Sequence, residues 1–124
     1  MDRWEAIYDF WSSFNIPAYE ENSIPEEAKY PYITYEVAVA PFETEVTLSA
    51  SIWDRTTKGS AFIDGKADEI ERYIKNMRVC PAINGGRYRV FIPDLSPFAR
   101  NMNDPEDRLI KRKILTVNFE FMTT

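Results

Sequence analysis

Residues 30–37 read YPYITYEV, an aromatic and β-branched run that follows the turn-rich segment PAYEENSIPEEAK (17–29). Successive side chains of a strand point to opposite faces of its sheet, so this run predicts a strand with one buried face. A proline at its start costs little there, and Pro41 is expected to end the strand. The predicted inward residues are Ile33, Tyr35, Val37 and Val39, and the predicted outward residues are Tyr32, Thr34 and Glu36.

Three further runs alternate in the same way: TEVTLSASIW (44–53), GRYRVFIP (86–93) and IKRKILTVNFEF (110–121). In each run the apolar side chains fall on one side and the hydroxylated or charged side chains fall on the other. This pattern is typical of antiparallel strands with one face on the core and one in solvent. The sequence therefore predicts four strands in one sheet.

Two segments follow helical spacing instead. DRWEAIYDFWSSF (2–14) and AFIDGKADEIERYIKNM (61–77) place apolar residues at intervals of three and four, which predicts an amphipathic helix in each. Asp2 is expected to cap the first helix. The predicted inward stripes are Trp4, Ile7, Tyr8, Trp11 and Phe14 in the first helix and Ile63, Ala67, Ile70, Ile74 and Met77 in the second.

The element order predicts a single α+β domain over residues 1–124. The economical packing for the order α-β-β-α-β-β is a four-stranded, mostly antiparallel sheet with two helices packed on one face. The other face, rich in Thr, Ser, Arg and Glu, is then left uncovered.

Composition excludes several kinds of chemistry. The chain has no histidine, so no Ser-His or Cys-His nucleophile can form, and Cys80 is its only cysteine. The net charge of −5 argues against specific nucleic-acid binding, which needs clustered Lys and Arg. Its apolar stretches are too short for a membrane span. The four acids in DGKADEIE (64–71) fit a solvated helix face better than a metal loop. We predict no catalytic residue, no cofactor and no metal site.

The segment DLSPFARNMNDPEDR (94–108) is longer than a hairpin requires, and loops of this length are often functional. We expect it to be mobile in the isolated subunit and ordered on assembly; the alternative is an insertion without function. Arg87 and Arg89 are expected to pair with acids across a strand or a subunit boundary. The candidate interface residues are Phe98, Arg100, Met102, Asp104, Glu106, Asp107, Arg108, Arg87, Arg89 and Glu36.

The pattern of elements resembles the tail-terminator and related tail-completion proteins of long-tailed bacteriophages and prophages. The resemblance is carried by the first helix, IPAYEENSIPEEAKYPYITYEV (16–37), SIWDRTTKGSAF (51–62), RYRVFIPDL (87–95) and ILTVNFEF (114–121). It implies a structural virion protein, made in the bacterial cytoplasm, that forms a homo-oligomeric ring, commonly of six. The implied partners are the tail-tube and head-connector proteins, and the implied role is to end tube growth.

Other classes remain open on the sequence alone. Another phage neck or minor capsid component, or a non-viral protein-interaction module, would share the same lack of catalytic residues. An enzyme that used carboxylates alone would need a cleft that the sequence does not reveal.

Overall fold

The computed structural model describes residues 2–37, 44–94 and 97–123. Within these ranges it contains two helices and seven strands. In chain order they are α1 (Arg3–Ser12), β1 (Ala18–Glu20), β2 (Tyr32–Tyr35), β3 (Glu45–Arg55), α2 (Ala61–Lys75), β4 (Ala82–Ile83), β5 (Gly86–Phe91), β6 (Ala99–Asn103) and β7 (Ile110–Thr123).

The long strand β7 lies at the centre of one mixed sheet. The strand order is β1-β2-β3-β7-β5-β4, and β6 pairs with β7 beside that path. On one edge β7 pairs with all of β3, from Glu45↔Glu120 to Arg55↔Ile110. On its other edge residues 118–123 pair with β5 and residues 111–115 pair with β6. β1 and β2 are parallel, and the remaining pairs are antiparallel.

The predicted four-stranded sheet is therefore wrong, although the α+β class agrees. The unpredicted strands are β1, in the turn-rich segment, β4, just before Asn84, and β6, in the segment predicted as a long loop. β1 and β4 have only three and two residues, which is too short for alternation to show in the sequence. β6 has five residues, but its sequence, ARNMN, does not alternate apolar and polar side chains. The first predicted strand also ends earlier than expected, at Tyr35. Val39 and Pro41 lie outside the described residues.

One hydrophobic core joins the two helices to the inner face of the sheet. The ring of Phe10 on α1 meets the ring of Phe119 on β7 edge-on, with centroids 5.6 Å apart. The same Phe10 ring lies 6.1 Å from Tyr73 on α2. Phe119 also stacks against Tyr88 and Phe121, at 6.3 Å from each. Phe119 therefore connects the central strand, its neighbour β5 and the first helix.

The apolar stripe predicted for α1 is partly wrong. The helix begins as expected, because the Asp2 carboxylate accepts the backbone N–H of Glu5 at 2.8 Å. However, Trp4 and Tyr8 are each 52% exposed. Two overlapping stripes satisfy the helical spacing, and the contact of Phe10 with the sheet selects the one without these two aromatics. The buried residues of this region are Ala6, Ile7, Phe10, Trp11 and Phe14.

The stripe predicted for α2 is confirmed within the helix. Ile63, Ala67, Ile70 and Ile74 are all buried, whereas Met77 lies beyond the end of the helix and packs against the core from there.

Asp64 fastens the first turn of α2 to the sheet. Its carboxylate accepts the ammonium of Lys113 on β7 at 2.8 Å and the amide of Asn101 on β6 at 3.2 Å. The Ser60 hydroxyl donates to its other oxygen at 2.9 Å. The hydrogen bond from Lys113, helped by those from Asn101 and Ser60, lowers the pKa of the Asp64 carboxyl below its usual value. One carboxylate thus joins a helix to two strands.

We expect Phe119→Ala to lower the free energy of unfolding by about 3–5 kcal/mol, because it leaves a cavity at the junction of α1, β5 and β7. Phe62→Ala is the matched control, since Phe62 is 42% exposed and Phe119 is fully buried. The control should change stability by no more than about 0.5 kcal/mol. Urea unfolding followed by circular dichroism measures both, and equal losses would contradict this description of the core.

We expect Asp64→Asn to lower stability by about 0.5–1 kcal/mol at pH 7, because it removes a charge that pairs with Lys113. The folded-state pKa of Asp64 is depressed, so its contribution is present above the unfolded-state pKa and is lost as pH falls through the folded value. The difference between the two proteins should therefore shrink below about pH 4. Asp68→Asn, on the exposed side of α2, is the control and should change stability at pH 7 by no more than about 0.5 kcal/mol. A difference that stays constant down to pH 2 would contradict the proposed role of Asp64.

Candidate functional site

The outward side chains of β2, β3, β5, β6 and β7 share the sheet face opposite to the core, which we call the open face. In the described part of the chain, both helices pack on the other side of the sheet. The open face is mostly polar, as the alternation in the sequence predicts. Its two ends differ in character.

At one end of the open face, large side chains form a row across four strands. Tyr32 on β2 is the direct neighbour of Trp53 on β3, which is the neighbour of Arg112 on β7 and, through it, of Met102 on β6. The Arg112 guanidinium lies 4.5 Å from the centroid of the Trp53 ring. Two more tyrosines lie against Tyr32 with ring centroids 5.8 and 5.1 Å away. We call this set the aromatic row: Tyr19, Tyr30, Tyr32, Trp53, Met102 and Arg112.

Small hydroxyl residues beneath the row hold its two largest members in place. The Trp53 indole N–H donates to the Thr34 hydroxyl at 2.8 Å, and the Arg112 guanidinium donates to the Ser51 hydroxyl at 3.0 Å. Thr34 and Ser51 are both buried. Burial lowers the pKa of Arg112, and the nearby Glu21 carboxylate partly opposes that effect. These hydrogen bonds restrict Trp53 and Arg112 before any partner arrives, which reduces the entropy lost on binding.

At the other end of the open face, polar groups satisfy one another. The Thr47 hydroxyl donates to the Asn118 side-chain oxygen at 2.7 Å, and the Asn118 amide donates to the Glu45 carboxylate at 2.9 Å. Beside them Arg89 pairs with Glu120 at 2.6 Å. The Glu120 hydrogen bond raises the pKa of Arg89. Because these polar groups bond to one another, we call the set the closed network: Glu45, Thr47, Arg89, Asn118 and Glu120.

The structure separates the residues of the predicted 94–108 loop. Residues 99–103 form β6, so the prediction of a long structureless loop is wrong there; residues 95 and 96 lie outside the described ranges. Phe98 is buried in the core and is unavailable as an interface residue. Met102 lies in the aromatic row, and Arg100 is exposed on the same strand.

The acidic residues that follow β6 shape a turn. The Asp104 carboxylate accepts the backbone N–H groups of Glu106 and Asp107 at 2.8 and 3.2 Å. Asp107 pairs with Arg55 at the end of β3 at 3.2 Å. Glu106 and Arg108 are exposed. Two of the predicted interface acids thus have local structural roles.

The three remaining predicted residues lie on β5 and after β2. Arg89 pairs with an acid across a strand, as one of the two predicted alternatives requires. Arg87 instead donates to the backbone carbonyl of Cys80 at 2.8 Å. The Glu36 carboxylate accepts the backbone N–H of Ser49 on β3 at 3.2 Å. None of the three joins the aromatic row.

The hollow beside the aromatic row is smaller than an ordinary ligand pocket. The hollow beside the row, lined in part by Trp53, Pro105 and Ile110, has a volume of about 120 Å³. Ligand pockets usually span about 300–1,000 Å³. A larger open groove of about 600 Å³ lies beside the end of α2, and apolar and polar side chains line it in equal number. Within residues 2–37, 44–94 and 97–123, no group of three or more His, Cys, Asp or Glu is placed to hold a metal ion.

No protein-family model matches the chain, and a search of curated proteins finds no significant match. In the part of the chain that is described, no helix is long and apolar enough to cross a membrane.

The chemistry of the aromatic row suits contact with another protein. Tyr, Trp, Met and Arg are the side chains enriched in protein–protein interfaces, and Trp, Tyr and Arg dominate their binding energy. The sequence indicates Met102 as an interface residue and Tyr32 as an outward side chain, but it does not single out Trp53 or Arg112. Alternation indicates which way each side chain points, whereas the register that brings these residues together is a property of the folded sheet.

We expect Asn118→Asp to lower the free energy of unfolding by about 1–3 kcal/mol at pH 7. The new carboxylate cannot donate to Glu45 and instead repels it at close range. The double variant with Glu45→Gln should recover most of the loss, because the glutamine amide donates to the new carboxylate. Asn22→Asp is the control: its amide also contacts a glutamate, Glu20, at 3.3 Å, but in solvent. An equal loss in Asn22→Asp, or no recovery in the double variant, would contradict the closed network.

Proposed function

We propose that this protein is a structural subunit of a phage or prophage virion, a ring-forming tail terminator at the head–tail joint. In this role it ends growth of the tail tube and joins the tube to the head connector. The observation that supports an assembly role is the aromatic row, an ordered set of interface-type side chains on an open sheet face. The resemblance of the element pattern to tail-completion proteins supports the phage assignment.

The two ends of the open face fit different parts of that role. The row offers large side chains that are held rigidly from below, so we assign to it the contact with the end of the tail tube. The polar groups of the closed network around Asn118 already bond to one another, so they are less suited to bind a partner. It suits a surface that faces water.

The charge of the protein is compatible with a position beside passing DNA. The net charge is −5, with 20 acidic and 15 basic residues. A ring of such subunits repels the phosphate backbone, which lowers the chance that DNA sticks in the channel.

A test of this function uses the tail-tube protein encoded in the same genome. Tubes assembled with the wild-type protein should have uniform lengths and carry a ring at one end in electron micrographs. Trp53→Ala combined with Arg112→Ala should weaken tube binding by about tenfold or more, because both side chains are interface anchors.

Trp4→Ala is the matched control, since Trp4 is an exposed tryptophan on α1, away from the open face. It should cap tubes as the wild type does. Tubes that grow equally long with and without the wild-type protein would refute the terminator role. Binding to the head connector but not to the tube would identify another neck component instead.

A further inference from the structure

Charge is segregated along the chain. Residues 4–28 contain six acids and no lysine or arginine, and residues 72–89 contain five bases and no acid. The acids are Glu5, Asp9, Glu20, Glu21, Glu26 and Glu27. The bases are Arg72, Lys75, Arg78, Arg87 and Arg89.

The fold places parts of these two segments at opposite edges of the sheet. β1 and β4 are the two ends of the strand order. The loop that leaves β1 carries Glu26 and Glu27, both exposed, and we call residues 20–28 the acidic edge. The segment between α2 and β4 carries Arg78, with Arg72 on the last turn of α2. We call residues 72–81 the basic edge.

The key charges at both edges lack partners of opposite sign within the subunit. Among the ion pairs of the described residues, none includes Glu26, Glu27, Arg72 or Arg78. The two guanidiniums contact only backbone carbonyls, Arg72 that of Asp68 and Arg78 that of Lys75, each at 3.4 Å. The two glutamates at one edge and the two arginines at the other are therefore available to a second molecule.

Exposed apolar side chains accompany the charged residues at both edges. The open groove of about 600 Å³ lies at the basic edge, and Tyr73, Met77, Val79 and Pro81 form the apolar part of its lining. Its polar part consists of Arg72 and Arg78 together with Asn76 and one acid, Glu69. Val79 is 71% exposed. On the acidic edge, Ile24 is 41% exposed and lies two residues before Glu26. An apolar side chain flanked by acids thus faces outward at one edge, and an apolar groove flanked by arginines lies at the other.

We propose that the acidic edge of one subunit binds the basic edge of the next, with Ile24 in the groove and the glutamates opposite Arg72 and Arg78. This inference deepens the proposed function, because it names the surfaces through which a ring would close. The two surfaces differ, so the contact is head-to-tail, and such contacts produce closed rings or open helices. The edge strands have only three and two residues, so side chains rather than an added strand make the contact.

Charge reversal tests the pairing directly. The acidic-edge variant is Glu26→Lys with Glu27→Lys, and the basic-edge variant is Arg72→Glu with Arg78→Glu. Each alone places like charges in contact and should weaken self-association at least about tenfold in sedimentation velocity. An equimolar mixture of the two should associate again, since each variant then offers the edge that the other needs. Wild-type association should also weaken as salt is raised.

A control variant separates edge contacts from net charge. Thr57→Glu with Lys58→Glu makes the net charge three units more negative, close to the four units of the basic-edge variant, and both residues are exposed elsewhere on the surface. It should associate like the wild type. Thermal melts of every variant verify that the fold is retained.

Three outcomes would overturn the pairing. They are a mixture that associates no better than its separate components, single-edge variants that associate like the wild type, and a wild type that stays monomeric at every concentration in low salt. Wild-type binding to duplex DNA that is lost in the basic-edge variant, without self-association, would assign the basic edge to nucleic acid instead. Rings that form by this pairing but do not cap tubes would refute the terminator role alone.

Discussion

The pairing of β7 with β3 is the constraint on which the rest of the structure depends. These two strands pair along the whole of β3, and no other pair of elements in the described residues has so long a contact. Because β7 is longer than its other neighbours, its second edge accommodates both β5 and β6 in succession. The sheet can therefore extend on both sides of one strand, and four strands lie between its two outermost strands, β1 and β4.

Alternation along β7 links the core to the candidate site. Phe119 and Leu115 point into the core, while Arg112 and Asn118 point to the open face. A shift of one residue in the register would exchange these two sets, placing a guanidinium in the core and a phenyl ring in solvent. Burial of the apolar face therefore fixes the register, and the same register places Arg112 beside Trp53. The core and the aromatic row therefore depend on the same strand register.

The open face is stable without a covering layer because its buried polar groups have partners. Thr34, Ser51 and Asn118 are buried on that side, and each bonds to another side chain of the sheet. Unpaired polar groups in such positions would cost about 1–3 kcal/mol each. Because these hydrogen bonds satisfy the buried polar groups, the larger side chains can point outward, where they are available to a partner. The face is thus stable alone and still suited to assembly.

The sequence by itself determined the α+β class, the four longest alternating runs and the buried stripe of α2. Each of these follows from a periodicity that is local to its segment, so no knowledge of neighbours was needed. The absence of histidine and the segregation of charge were likewise fixed by the sequence.

Only the tertiary structure decided the remaining features, because they depend on which segments become neighbours. β1, β4 and β6 are too short to form without the strands beside them, and the stripe of α1 was chosen by its contact with the sheet. Phe98 was expected at an interface, but the position of β6 beside β7 places it in the core. Trp53, Arg112 and Met102 are far apart in sequence and form one row only through strand register. In the four predicted strands the sequence indicated which way the side chains point, and the pairing of strands decided their neighbours.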